Sequence, residues 1–90
     1  MLCKIEVKHI GEIEVEVMPD GPYWYCEGVI WDYGAQGDSV AEAIEHFQIG
    51  LAKTIELNKE MRGLEPDQIE HLKYKPGERE ALIAERQSWE

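Results

Sequence analysis

Residues 11–28 read GEIEVEVMPDGPYWYCEG, and the fold class turns on how this stretch is read. Its first half alternates with period two. Ile13, Val15 and Val17 fall on one side of an extended chain, and Glu12, Glu14 and Glu16 on the other. That pattern predicts a β-strand over about 12–18 with one covered face. Pro19-Asp20-Gly21-Pro22 supplies dense turn chemistry, proline fixing φ and Asp-Gly offering the positive-φ positions of a tight hairpin. The aromatic and β-branched run from Tyr23 to Trp31 predicts the returning strand, with Gly28 kinking or bulging it. In such a strand Tyr23 and Tyr25 share one face, and Trp24 and Cys26 the other. The hairpin thus carries an apolar row that needs a core and an acidic row whose purpose is open.

Working outward, Cys3, Ile5 and Val7 alternate with Lys4, Glu6 and Lys8 as a first strand, and Gly11 marks the reversal. Residues 33–36 predict a short fourth strand ended by Gly37-Asp38. Ser39-Val40-Ala41-Glu42 fits a capping box, in which the serine hydroxyl and the glutamate each satisfy an orphaned backbone N–H. Val40, Ile44, Phe47, Leu51 and Ile55 then recur at spacings of three and four, with Ala43 and Thr54 beside them. Lys53, Lys59 and Arg62 lie toward the end that favours positive charge, and Gly63 provides the stop. A helix is expected over about 39–61. Pro66 opens a short helix through Leu72, anchored by Leu64, Ile69 and Leu72. Pro76 opens another to about Gln87, with Leu82, Ile83 and Trp89 as its apolar positions. Its stripe is narrow, and alone it would be a marginal helix. The expected fold is α+β: a three- to four-stranded, mainly antiparallel sheet packed on one long helix, with one or two short C-terminal helices. Residues 1–63 form the sheet-plus-helix domain and 64–90 a helical extension.

Ninety residues make one small domain. A hydrophobic fraction of 43% and a charged fraction of 31% describe a globular chain rather than a disordered one. No apolar run approaches the ~20 residues needed to span a bilayer, and Met1–Ile10 lacks the regions of a signal peptide, so a cytoplasmic setting is expected. Cys3 and Cys26 both fall in strands and read as reduced, buried thiols. The net charge of −10 repels nucleic acid and anionic lipid. It is also uneven: residues 1–38 hold eight acids against two bases. The natural partner of such a surface is a basic protein, or one that normally holds nucleic acid.

Chemistry is harder to find. His9, His46 and His71 lie in three different elements, without the spacing that preorganises zinc. Glutamates at i and i+2 on a strand stand ~6.5 Å apart, too far for one ion to bridge unaided. Neither metal nor cofactor is expected. Ser39 follows Asp38 but is explained as a helix cap, and no cysteine has a neighbouring histidine. Gly34-Ala35-Gln36-Gly37 precedes a helix but lacks a P-loop lysine. The chain does not read as an enzyme and offers no catalytic residues. Nucleic-acid binding would need cations among the aromatics, yet Asp20, Glu27 and Asp32 surround them. The aromatics either fill a small core or form an exposed patch rimmed by acid, as in a protein–protein hot spot. The candidate partner-binding set is Glu12, Glu14, Glu16, Asp20, Tyr23, Trp24, Trp31 and Asp32.

Asp20-Gly21-Pro22-Tyr23-Trp24-Tyr25-Cys26-Glu27-Gly28, followed by Ala35-Gln36-Gly37-Asp38-Ser39-Val40-Ala41-Glu42-Ala43-Ile44, resembles the HicB-like antitoxin domain. That family joins a D-G turn and an aromatic strand to a Q-G-D-[ST]-x-x-E-A turn into a long helix. The likeness covers about residues 12–60. Ile30-Trp31-Asp32-Tyr33-Gly34 stands where the family has a D-x-P-G-C-like segment, and an extra strand precedes the matched region. No helix-turn-helix or ribbon-helix-helix tail is recognisable in residues 64–90. The resemblance implies a partial RNase H-like sheet with a packed helix, and the masking of a small basic ribonuclease toxin.

Three functions follow as expectations. The first is an acidic, HicB-like binding module that neutralises a basic nucleic-acid-processing protein. The second is a phage or mobile-element inhibitor of a defence nuclease, an anti-CRISPR-like mimic whose strand carboxylates approximate phosphate spacing. The third is a small carboxylate- or metal-dependent hydrolase. A homodimer is also expected, because a small sheet leaves edges and the C-terminal helix is free to clasp a second copy.

Overall fold

The alternation in residues 11–20 is realised as an inner strand of a four-stranded sheet in the computed structural model, which describes residues 1–88. The elements in chain order are β1 (Leu2–Val7), β2 (Gly11–Asp20), β3 (Tyr23–Gly28), β4 (Gly34–Gly37), α1 (Val40–Arg62) and α2 (Glu78–Ser88), with two 3₁₀ turns at Pro66–Gln68 and Glu70–Leu72. The strands pair antiparallel in sequence order. The α+β architecture predicted from the pattern is the one observed.

Register follows the alternation. Val15 stands opposite Cys3 of β1 and Gly28 of β3, and Val17 opposite Cys26. These residues, with Ile5 and Val7, face α1. The helix returns Ala43, Phe47, Leu51 and Ile55, four residues apart and all essentially buried. Val40 and Ile44, read from sequence as part of the stripe, pack at its flank. Tyr33 closes on Phe47 edge-to-face, with ring centroids 5.4 Å apart. Ile69, between the 3₁₀ turns, is fully buried and closes the end of the core.

The caps match the sequence with one shift. Ser39 Oγ accepts from the Glu42 N–H at 3.1 Å, but the Glu42 carboxylate reaches back to the Asp38 N–H rather than to that of Ser39. Gly63 adopts φ 65° and donates its N–H to Lys59 O at 3.0 Å. At the β2–β3 hairpin Asp20 pairs with Tyr23, so Gly21-Pro22 is the whole loop and Gly21, at φ 61°, is its only positive-φ residue. Proline cannot take that conformation. Pro19 is tolerated inside β2 because the pairing with β1 ends at Met1–Val17, leaving no strand on that side.

The predicted third strand is too long. It stops at Gly28, whose N–H binds Tyr33 O at 3.0 Å, and a Cβ at Gly28 would meet the Trp31 carbonyl. Residues 30–32 pair instead with the segment after the 3₁₀ turns: Asp32 N–H binds Leu72 O and Tyr74 N–H binds Ile30 O. Trp31 is thereby folded inward, 7% exposed, with the Lys73 ammonium 5.1 Å from its ring centroid. The expected C-terminal helices divide into the two 3₁₀ turns and α2. Trp89, read as one of the apolar positions of α2, lies outside the described residues. No described helix is long and apolar enough to cross a membrane.

Candidate functional site

The face of the sheet opposite α1 gathers the acids. Because side chains alternate, the pairing that buries Val15 and Val17 turns Glu12, Glu14 and Glu16 outward, beside Lys4 and Glu6 of β1 and Tyr25 and Glu27 of β3. The register places Glu6 directly opposite Glu12, Glu14 opposite Lys4, and Glu16 opposite Glu27. Two like-charge pairs therefore face each other across adjacent strands, an arrangement that destabilises a sheet.

One of these pairs is neutralised within the chain. Helix α2 lies over the outward face, and the Arg79 guanidinium Nη2 stands 3.4 Å from Glu27 Oε1 and 3.5 Å from Glu16 Oε1. Arg86, two helical turns on, brings its own Nη2 to 3.4 Å from the same Glu27 oxygen. Glu27 is 4% exposed in consequence, although it stands on the side of the sheet away from the core. Arg79 Nε is buried without a hydrogen-bond partner among the described residues. Beside this clamp Tyr25, Glu27, Leu82, Glu85 and Arg86 line a cavity of about 280 Å³. Burial, and then the Glu27 charge, push the Tyr25 hydroxyl above its ordinary value. The nearby Tyr74 hydroxyl is pushed up to about 12, first by burial and then by Asp32 and Glu27.

The other pair is open. Glu6, Glu12 and Glu14 are exposed, and among the described residues no cation lies within salt-bridge distance of them. The open acids and the arginine clamp share β2, so the face has a bare half toward β1 and a covered half toward β3.

The structure separates the candidate residues. Glu12, Glu14 and Glu16 share the outward face; Asp20 is exposed at its hairpin end, where Gln36 Nε2 donates to its Oδ2 at 3.4 Å. Tyr23 is exposed, in the same alternation as Tyr25. Trp24 is half-buried against the core on the opposite face, and Trp31 belongs to that core, so neither ring joins the outward row. Asp32 is exposed in the β3–β4 connection. Sequence reasoning missed Glu27, Arg79 and Arg86. The parity of β3 places Glu27 with Tyr25, and the spacing of seven places both arginines on one helical face, but nothing local tells that these two features meet.

The remaining polar groups are committed elsewhere. Ser39 caps α1; His46 Nδ1 lies 2.7 Å from Gln36 O; His9 Nε2 lies 2.9 Å from Glu56 Oε1. That contact is the main cause of a Glu56 carboxyl held below its ordinary value. His9 itself adopts φ 81°, an uncommon left-handed conformation for a residue other than glycine, at the β1–β2 turn. Among the described residues no three histidine, cysteine or acidic side chains converge as a metal ion would require. Burial pushes the Cys26 thiol up to about 11, with Cys3 a secondary cause. No known family, curated protein or solved structure matches this chain.

Proposed function

We propose that the chain is a binding module that presents the acidic face of its sheet to a basic protein, in the manner of the HicB-like antitoxins its hairpin and helix start resemble. The observation that carries this reading is the register of the acids. Solubility depends on net charge and is indifferent to where each carboxylate stands. Stability is not: like charges placed directly opposite cost a sheet what opposite charges would contribute, of order 0.2–1 kcal/mol per pair. Glu6 opposite Glu12 is such a cost, with no described cation within salt-bridge distance of either. A cationic partner would relieve it on binding, and the field of a chain at −10 would speed the encounter. The partner class favoured is a ribonuclease toxin or a defence nuclease, whose own basic surface normally holds nucleic acid. Direct binding of nucleic acid or of an anionic membrane is disfavoured by the same charge. The edge of β1 is where a second copy would add to form a homodimer.

The test is Glu12→Lys together with Glu14→Lys, leaving Glu16 intact because it touches Arg79. Wild type and variant are used to retain proteins from the native host, and the retained proteins are identified by mass spectrometry. A basic nucleic-acid-processing protein held by the wild type, released by salt and lost from the variant, is the expected result. Retention of the same protein by both forms would remove this strand from the interface.

A further inference from the structure

Strand β1 is one of the two edges of the sheet, and an edge carries a row of backbone groups with no strand to meet them. Which residues supply that row follows from parity. Met1 and Val17 exchange both backbone hydrogen bonds at 2.9 Å, so Met1, Cys3, Ile5 and Val7 turn their N–H and C=O toward β2. On the far side of β2 the Val29 N–H binds Glu14 O, as the same alternation requires. Leu2, Lys4 and Glu6 therefore turn their backbone groups to the free edge. Gln48 of α1 reaches one of them, its Nε2 donating to Glu6 O at 2.8 Å, and that carbonyl keeps a second lone pair. The opposite edge, β4, has four residues, and His46 Nδ1 already lies 2.7 Å from its outward Gln36 carbonyl.

Parity also limits how a second β1 can lie against the first. An antiparallel copy must set outward residue against outward residue, which leaves few registers. Centred on Lys4, the pairing sets lysine against lysine; centred on Glu6, it sets glutamate against glutamate, and both are destabilising. Centred on Cys3, it joins only Met1–Ile5 and opposes no unlike charges. Centred on Ile5, it sets Lys4 opposite Glu6 of the second copy and Glu6 opposite Lys4, with Cys3 opposite Val7 on the core side. A lysine on an edge strand ordinarily discourages pairing, but in this register it meets its complement. The two-fold axis of such a pair stands perpendicular to the sheet, so both α1 helices lie on one face and both acidic rows on the other. Beside the end of β1, Ile49 of α1 is 59% exposed and lines, with Lys8 and Gln48, a cavity of about 400 Å³ that the second copy would approach.

We propose that a second copy of this chain pairs antiparallel with β1 about Ile5, joining the two sheets into one, with Lys4 and Glu6 exchanging partners across the axis. This rests on the homodimer reading above and names its strand, its register and its charges. Lys4 of the second copy stands beside Glu6, while Glu12, on the inner strand, still faces Glu6 alone in β1. The dimer thus answers part of the repulsion and sets Glu12 and Glu14 of both copies on one continuous face.

Sedimentation equilibrium of the full chain from about 1 µM to about 1 mM tests this, since dimers of that strength and tighter are then resolved. Wild type should shift from monomer to dimer as concentration rises. Glu6→Lys decides, because register and net charge act there in opposite directions. It makes a chain of −10 less negative, which on general grounds favours association. In the register centred on Ile5 it sets lysine against lysine twice, so the dimer should weaken at least about tenfold. The same change places a lysine opposite Glu12 within the chain, so the weakening does not come from a damaged fold. Lys4→Glu should weaken the dimer likewise, and the two substitutions together should restore it to within about threefold of wild type. Amide exchange at Lys4 and Glu6 should slow as concentration rises. A monomer at every concentration would overturn the proposal and the homodimer reading together. A dimer that Glu6→Lys leaves unchanged or strengthens, or that the double substitution does not restore, would overturn the proposal and leave the homodimer reading standing. The reading that the face meets a basic protein is tested separately, at Glu12 and Glu14.

Discussion

Deleting Arg79 should cost more than deleting Arg86, and the reason is where each guanidinium sits. The Arg79 side chain is 12% exposed and touches both Glu27 and Glu16; that of Arg86 is 50% exposed and touches Glu27 alone. Removing one partner of a fully buried pair costs about 3–5 kcal/mol. The long contacts and the surviving Arg86 lower this, so Arg79→Ala is expected to cost about 2–3 kcal/mol. Arg86→Ala, half in solvent, is expected to cost about 0.5–1 kcal/mol. Glu27→Gln removes an attraction to two arginines and a repulsion from Glu16 together, for a net loss of about 1–2 kcal/mol. The decisive quantity is the cycle. In the Glu27→Gln background, Arg79→Ala should cost about 1 kcal/mol or less, leaving a coupling of about 1–2 kcal/mol between the two side chains. Urea unfolding followed by tryptophan fluorescence reads it, because Trp31 moves from the core to water. An Arg79→Ala cost below about 0.5 kcal/mol, or one that is equal in both backgrounds, would refute the reasoning. Helix α2 would then not be seated on Glu27 in solution.

Gly37→Ala should destabilise by about 1–3 kcal/mol in the same assay, because its Cβ would meet the backbone of Glu42 and Ala43 in the first turn of α1. At pH 8 a thiol reagent should label the half-buried Cys3 well before Cys26, whose burial keeps it a thiol; mass spectrometry of the peptides checks the order. Raised acidic groups also set the alkaline limit. Stability should be intact below pH 9 and fall as pH rises through about 11, where Cys26 ionises, and on toward about 12 for Tyr74, a decline that thermal melts across that range would show. At the acid end the sign reverses. The depressed Glu56 carboxyl contributes stability above about 4.5 that is lost as pH falls through its lower folded value, and His9→Ala should return that group toward 4.5 in an NMR titration.

What was legible in the sequence was whatever short-range physics decides. Period two in residues 12–18 gave β2 its faces, Ser39 and Gly63 gave α1 its ends, and spacings of four gave it its buried stripe. The misreadings arose where a distant segment overrode local preference. Val29-Ile30-Trp31 has strand composition, yet the chain leaves the sheet after Val29, whose N–H still binds Glu14 O, because residues 72–74 supply other backbone partners to residues 30–32 from some forty positions later in the chain. The two tryptophan positions could not be assigned for the same reason: an aromatic row beside acids fits both a core and a hot spot, and only the pairing of Cys26 with Val17 settles which row of β3 turns inward. Positive φ at His9 went unread because histidine, although enriched among the non-glycine residues that adopt it, does so in only a small minority of cases. Arg79 and Arg86 went unread because the acceptor they share, Glu27, lies about 50 to 60 residues upstream on a strand.

The two like-charge pairs on the sheet follow one physical rule to different ends. At Glu16 and Glu27 the repulsion is met from inside the chain by two arginines on a short terminal helix. At Glu6 and Glu12, four residues back along β2 on the same face, no described cation lies within salt-bridge distance. If acids served only to keep the protein dispersed, there would be no reason to leave one pair bare while another is covered at the expense of burying a carboxylate. On the reading proposed above, the bare half would draw a cationic partner in, because exposed charge acts over about a Debye length while a buried clamp acts only on contact.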